Sequence, residues 1–193
     1  MGRFFVSFHE AWAHFQAREE PLEDFFADLP KEGRVRYWLL LPGAEVRARA
    51  AEVQERLREV DGLRTLDDHF LHVTLGKDED VRREGFTETP PLLLRHRRIG
   101  AFHPCVVSEV EGDTRLLLER LYGVAPSSHL PHLTLAITER PVPVGSVREV
   151  VSALRDTALG DDLIEEVVLC SIPVGRRAFG SPWDVVERVP LGR

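Results

Sequence analysis

Two periodicities alternate along the 193-residue chain. One is helical. Ser7 followed by Glu10 is a capping box that starts a helix over 7–18, and "PLEDFFADL", opened by Pro21, reads as a second short helix. In "AEVRARAAEVQERLREV" the apolar positions Val46, Ala50, Val53, Leu57 and Val60 recur at steps of four and three. That is the stripe of an amphipathic helix, which Gly62 can end. "TRLLLERLY", capped by Asp113 and closed by Gly123, follows the same rule. So do residues 147–158, behind a capping box of Ser146 and Glu149.

The other periodicity is that of strands. "VRYWLLLP" at 35–42, "HFLHVTLG", "LLLRHRRIGAF", "CVVSEVEG", "HLPHLTLAIT", "DLIEEVVLCSI" and "WDVVERVPL" are apolar or alternating runs punctuated by Gly, Pro and Asp. The order is strand, helix, strand in the first half and helix, strand, helix, strand, strand in the second. This mixture predicts an α+β fold.

Two of the strands carry nearly the same words, "HVTL" at 72–75 and "HLTL" at 132–135, sixty residues apart and each near the middle of its half. A duplicated lobe accounts for the repeat. Side chains at i and i+2 share one face of a strand, so His72 projects with Thr74 and His132 with Thr134, while Leu71, Val73, Leu75, Leu133 and Leu135 turn to a core. If the two polar faces meet, two imidazoles and two hydroxyls surround one anion. A neutral histidine can take a proton from an attacking water while a protonated one donates to the leaving oxygen. The threonine hydroxyls can donate to non-bridging oxygens as charge builds there. Such a site calls for no metal and no cofactor.

Two H-x-T motifs at this separation, with "VRYWLLLP" as an opening strand, "IGAF" in mid-chain and "LCS…GSPWDVVERVPL" as a closing pair, resemble the 2H phosphoesterase superfamily. That superfamily includes the bacterial 2′-5′ RNA ligase-like proteins and the cyclic nucleotide phosphodiesterases. The similarity spans residues 34–191 and leaves residues 1–33 as an N-terminal helical extension to a bilobal domain over 34–193. The resemblance implies two lobes, each an antiparallel sheet backed by helices, with a central cleft. It also implies His72 and His132 as the acid/base pair, Thr74 and Thr134 as phosphate ligands, and an RNA end or small cyclic nucleotide as substrate. The reaction implied is hydrolysis of a 2′,3′-cyclic phosphate. Ligation of the 2′-5′ RNA type and binding without turnover are the alternatives. Where the family's second motif often continues to a basic residue, this chain has Ile137. Arg176, Arg177 and Phe179, in the turn before the final strand, can supply charge and a stacking surface, but a solvated loop is the expectation. Of Tyr37 and Trp38, which point to opposite faces, at most one can line the cleft.

Charge and composition narrow this further. A net charge of −7 argues against a surface that grips a long nucleic-acid duplex. A hydrophobic content of 43% with 30% charged residues places the chain among globular proteins with no membrane segment. The expectation is a cytoplasmic monomer. Cys105 and Cys170 lack metal-site spacing and read as buried free thiols. "HEAWAH" at 9–14 is no metal motif, since five residues turn a helix by about 500° and part its two histidines. His69 and His129 are expected on the strand face away from the motif histidines, and His96 and His103 at a surface or sheet edge.

Overall fold

A computed structural model describes residues 5–102, 104–112, 114–123 and 130–192. His103, His129 and the expected Asp113 cap lie outside them. In chain order the elements are α1 (Phe8–Ala17), β1 (Arg34–Leu40), α2 (Ala44–Leu57), β2 (Leu63–Thr65), β3 (Val73–Lys77), α3 (Glu84–Thr87), β4 (Leu92–Phe102), β5 (Cys105–Gly112), α4 (Thr114–Tyr122), β6 (His132–Thr138), α5 (Val144–Leu154), β7 (Gly160–Ile164), β8 (Glu166–Pro173) and β9 (Asp184–Pro190).

Every strand pair is antiparallel, and the strands form one sheet in the order β7-β4-β5-β6-β3-β1-β8-β9, with β2 paired to the far end of β6. The two lobes are the halves of this sheet, β3-β1-β8-β9 and β6-β5-β4-β7. They join where Val73 faces Leu133. Helices α2 and α5 pack on the second half, while α3 and α4 pack on each other and α3 on β9. The order also forces the sheet to curl. β7 and β8 are separated only by Glu165, yet β7 is one edge and β8 is next to the other. Leu191 on that far edge donates its N–H to the Glu165 carbonyl at 2.8 Å. The α+β class and the antiparallel, helix-backed halves are as the sequence predicts. Among the described residues no helix is long and apolar enough to cross a membrane.

Four boundaries differ from the sequence reading, each for a local reason. "PLEDFFADL" is not helical. Leu22 bridges Val142 and the Phe25 N–H goes to the Thr138 carbonyl at 3.0 Å, so this backbone is spent on lateral pairing. Asp24 Oδ1 also accepts from Phe26 N at 2.9 Å, a turn that competes with helix. Helix α5 starts at Val144 because Val144, Val147 and Val151 make the buried stripe, and Ser146 donates to Pro143 O at 2.9 Å instead of capping. "DLIEEVVLCSI" breaks at Glu165, where the chain passes between the two ends of the curled sheet. His69 and Phe70, expected in the first motif strand, belong to a 3₁₀ turn over Asp68–Phe70 ahead of it.

Helix α1 does carry its cap: Ser7 Oγ accepts from Glu10 N at 3.1 Å. Its Phe15, together with Leu22 and Phe26 of the following segment, joins the same core as Trp38, Leu75 and Leu135.

Candidate active site

Alternation along the motif strands sorts two kinds of side chain. Val73, Leu75, Leu133 and Leu135 are at most 1% exposed. His72, Thr74, His132 and Thr134, one residue out of phase, keep access to the surface. Because β3 and β6 are direct neighbours with Val73 opposite Leu133, the antiparallel register sets Thr74 across from His132 and His72 across from Thr134. Opposed residues project to the same side, so all four share one face. The two histidines are then diagonal neighbours, with backbones about 7–8 Å apart. That separation leaves room for a phosphate between the rings.

Both imidazoles are fixed by the same device. Nδ1 of His72 lies 2.6 Å from the Phe70 carbonyl oxygen, and Nδ1 of His132 lies 2.8 Å from that of Leu130. A carbonyl oxygen can only accept, so Nδ1 carries the proton in each ring and Nε2 is the nitrogen that can exchange one. An aromatic ring meets each imidazole edge to face, Trp183 with His72 at 4.9 Å and 81°, Phe102 with His132 at 4.9 Å and 83°. Burial among such rings holds His72 below the ordinary imidazole range, with the hydrogen bond to Phe70 pulling the other way.

Two further contacts seat the motif strands. Buried Gln54, on α2, donates its amide to the carbonyls of Leu66 at 2.7 Å and Leu135 at 2.9 Å, tying the segment that leads into His72 to β6. Gly76 follows the first motif because Tyr122 sits there: its hydroxyl donates to Leu75 O at 2.8 Å, and a Cβ on residue 76 would lie 1.6 Å from the Tyr122 hydroxyl oxygen.

Beside His72 and Thr74 opens a pocket of about 190 Å³. Tyr37 lines it, whereas Trp38 is fully buried, donates to Asp78 Oδ1 at 3.0 Å and packs on Phe86. Its outer wall is the turn before β9. This turn is no solvated loop throughout: Phe179 and Trp183 pack on the core and line the pocket. Arg176 pairs with Asp24 and donates to Glu139 O at 2.6 Å, while Arg177 is exposed. Ile137 is 1% exposed and lies between Cys105 on β5 and a cation, Arg64, on β2. The Arg64 guanidinium lies over the Phe179 ring at 4.9 Å and pairs with Glu139 at 3.1 Å.

Other sequence candidates fall away from the site. His69 is exposed in the 3₁₀ turn, a different place from the strand face expected for it. His96 overturns the expectation of a surface or edge residue. It is fully buried between β5 and β7, and among the described residues neither ring nitrogen has a hydrogen-bond partner. Both thiols are free, Cys170 buried and Cys105 partly so, and burial pushes the Cys105 thiol up to about 12. His14, of the "HEAWAH" pair, stacks on Phe5 at 5.2 Å. Sequence reasoning missed Trp183 and Phe102 as partners of the histidines, Gln54 as a brace and Arg64 as the cation beside Ile137. Only a strand register could have matched Arg64 to position 137.

No protein-family model matches the chain, and no curated protein matches it in sequence. Solved structures do. TT0787 of Thermus thermophilus superposes with a TM-score of 0.57 at 18% identity, over 81% of this chain and 97% of its own. E. coli LigT complexed with 3′-AMP gives 0.58 at 17%, over 83% and 99%. A structure described as a phosphoesterase gives 0.57 at 16%, over 85% and 100%. With its paired H-x-T strands at the centre of one curled antiparallel sheet, this chain shares the fold of these structures, LigT and a phosphoesterase among them.

Proposed function

We propose that the protein is a phosphoesterase that hydrolyses a cyclic phosphodiester, a 2′,3′-cyclic phosphate at an RNA end or on a nucleotide, by general acid/base catalysis between His72 and His132. The observation that supports this is the Val73–Leu133 pairing, which turns both histidine–threonine pairs to one face, with Nδ1 of each ring held by a backbone carbonyl. His72, whose burial disfavours the charged ring, is assigned the role of base in this reading. Its Nε2 takes a proton from water as the water oxygen bonds to phosphorus. His132 gives its Nε2 proton to the ribose oxygen as the phosphorus–oxygen bond of the ring breaks, and a phosphomonoester leaves. Thr74 and Thr134 donate to the non-bridging oxygens, where charge accumulates. The likeness to LigT, which has been crystallised with 3′-AMP and with phosphate, supports a nucleotide substrate.

The test is to incubate the protein with adenosine 2′,3′-cyclic phosphate in the presence of a chelator and follow monoester formation. Turnover is expected to persist with the chelator. His72→Ala and His132→Ala should each lower kcat by about 10²- to 10⁴-fold. Thr74→Val or Thr134→Val should cost about tenfold or more in kcat/KM, as for a hydrogen bond to a charged group. Full activity in both histidine variants would remove the assignment.

One observation favours a second reading, binding of a phosphorylated ligand without turnover. Position 137 is a buried isoleucine, and the nearby Arg64 is already paired with Glu139. Tight binding of the cyclic nucleotide with no product over hours would decide for it.

A further inference from the structure

Residues 21–29 contribute to the wall of the candidate site although they lie far from it in sequence. They are sewn to the body by the Leu22–Val142 bridge, by the Phe25 N–H on the Thr138 carbonyl, and by Asp24, whose partner Arg176 lies over the Phe26 ring at 4.6 Å. Phe25, Phe26 and Leu29 of this segment face the same pocket as His72 and Thr74. On this side Phe179 meets Phe26 at 5.2 Å and 84° and Phe25 at 6.1 Å. On the other side Trp183, the ring that meets His72, packs against Phe70 at 5.2 Å.

Three properties of this space identify its occupant. Its volume, about 190 Å³, exceeds the roughly 150 Å³ apolar cavity that accommodates a benzene ring. Its described lining includes neither an acidic residue nor a lysine or arginine, so the phosphates of a nucleic-acid strand would find no counter-charge there. Phe25, Phe26 and Phe179 are set edge to face with one another, and with Phe70 and Trp183 they make an aromatic wall against which a further ring can pack. A group held there lies beside His72 and Thr74, which belong to the pocket wall.

We propose that residues 21–29 are a specificity element of this site, closing with Phe25, Phe26 and Leu29 an aromatic pocket that takes one planar ring, of the nucleobase class, joined to the reacting phosphate. The proposal rests on the phosphodiester reading given above and adds to it what selects the substrate.

Two substrates test it, adenosine 2′,3′-cyclic phosphate and 1-O-methylribose 2,3-cyclic phosphate, which lacks the base. The wild type should favour the first by about tenfold or more in kcat/KM, the amount that stacking of one base supplies. Phe26→Leu, which keeps apolar bulk but loses the ring face, should bring this ratio towards one. Leu29→Ala, at a partly exposed rim, should lower it without threatening the core. A wild-type ratio near one, or a ratio unchanged in both variants, overturns the proposal. If neither compound is hydrolysed, the phosphodiester reading fails on its own. Adenosine binding, followed by tryptophan fluorescence, then decides the pocket. Saturable binding weakened about tenfold by Phe26→Leu supports it, and absence of saturation overturns it.

Discussion

His96 shows what a single buried residue costs and how to measure it. Burial lowers its pKa to about 4, against the opposing pull of Asp162 and Asp161. In the unfolded chain the ring titrates near its ordinary value of about 6.5. Between these values the unfolded chain binds a proton that the native one refuses. Stability therefore falls as pH drops from about 6.5 to 4 and changes no further from this cause outside that window. The whole drop is about 3 kcal/mol. His72, lowered by the same cause, adds a slope of the same sign. Urea unfolding at pH 7.5 and pH 5 is expected to give a smaller difference for His96→Leu than for the wild type. An equal difference would show that His96 is not the group responsible. Leucine also removes a buried polar ring without partners, so the variant should lose little at neutral pH.

At the scale of elements, the motif strands themselves were legible in the sequence, because an alternation of period two places His72 with Thr74 and His132 with Thr134 whatever surrounds them. Their pairing was not. Which strand lies beside which depends on contacts such as Gln54, and a glutamine within the apolar stripe of α2 carries no sign of the two carbonyls it will reach. The same limit explains the segment 21–29, where Pro21 signals a helix start but the lateral partners Thr138 and Val142 lie more than a hundred residues away. It explains His96 as well, since burial between β5 and β7 follows from strand order rather than from neighbours in the chain. Gln54→Leu offers a check on the brace. It leaves the Leu66 and Leu135 carbonyls without this donor, at a cost of about 1–3 kcal/mol. It should also lower kcat, because the segment carrying His72 loses its tie to β6. A variant as stable and as active as the wild type would show that the backbone pairing between Leu66 and Leu135 suffices.

For the whole molecule, the sheet order has a consequence that composition and spacing do not contain. A repeated motif invites the picture of two lobes that fold separately and then close on a substrate. Here the halves share the central Val73–Leu133 pair, and the chain passes from β7 to β8 through one residue, so the first half is built from two stretches of chain separated by the whole of the second. β1 and β3 belong to one half, β4 to β7 to the other, and β8 and β9 return to the first. Asp162, on edge strand β7, accepts from Gly43 N at 2.5 Å. It thereby satisfies an N–H at the start of α2, where Gly43 offers no side chain of its own. The curled sheet is thus one cooperative body, and unfolding is expected to be a single transition. Tryptophans report on well-separated parts of it. Trp12 lies on α1, Trp38 in the core beneath β1, and Trp183 beside His72. Variants keeping one tryptophan each, unfolded in urea, should give midpoints that agree with one another and with the loss of far-ultraviolet circular dichroism. Because Asp162 ties edge strand β7 to the turn between β1 and α2, Asp162→Ala should lower all the midpoints in concert, by about 1.5–3 kcal/mol in stability. Separate midpoints for Trp12 and Trp38, or a shift confined to one of them, would mean that the two halves unfold independently and that the continuous sheet does not couple them.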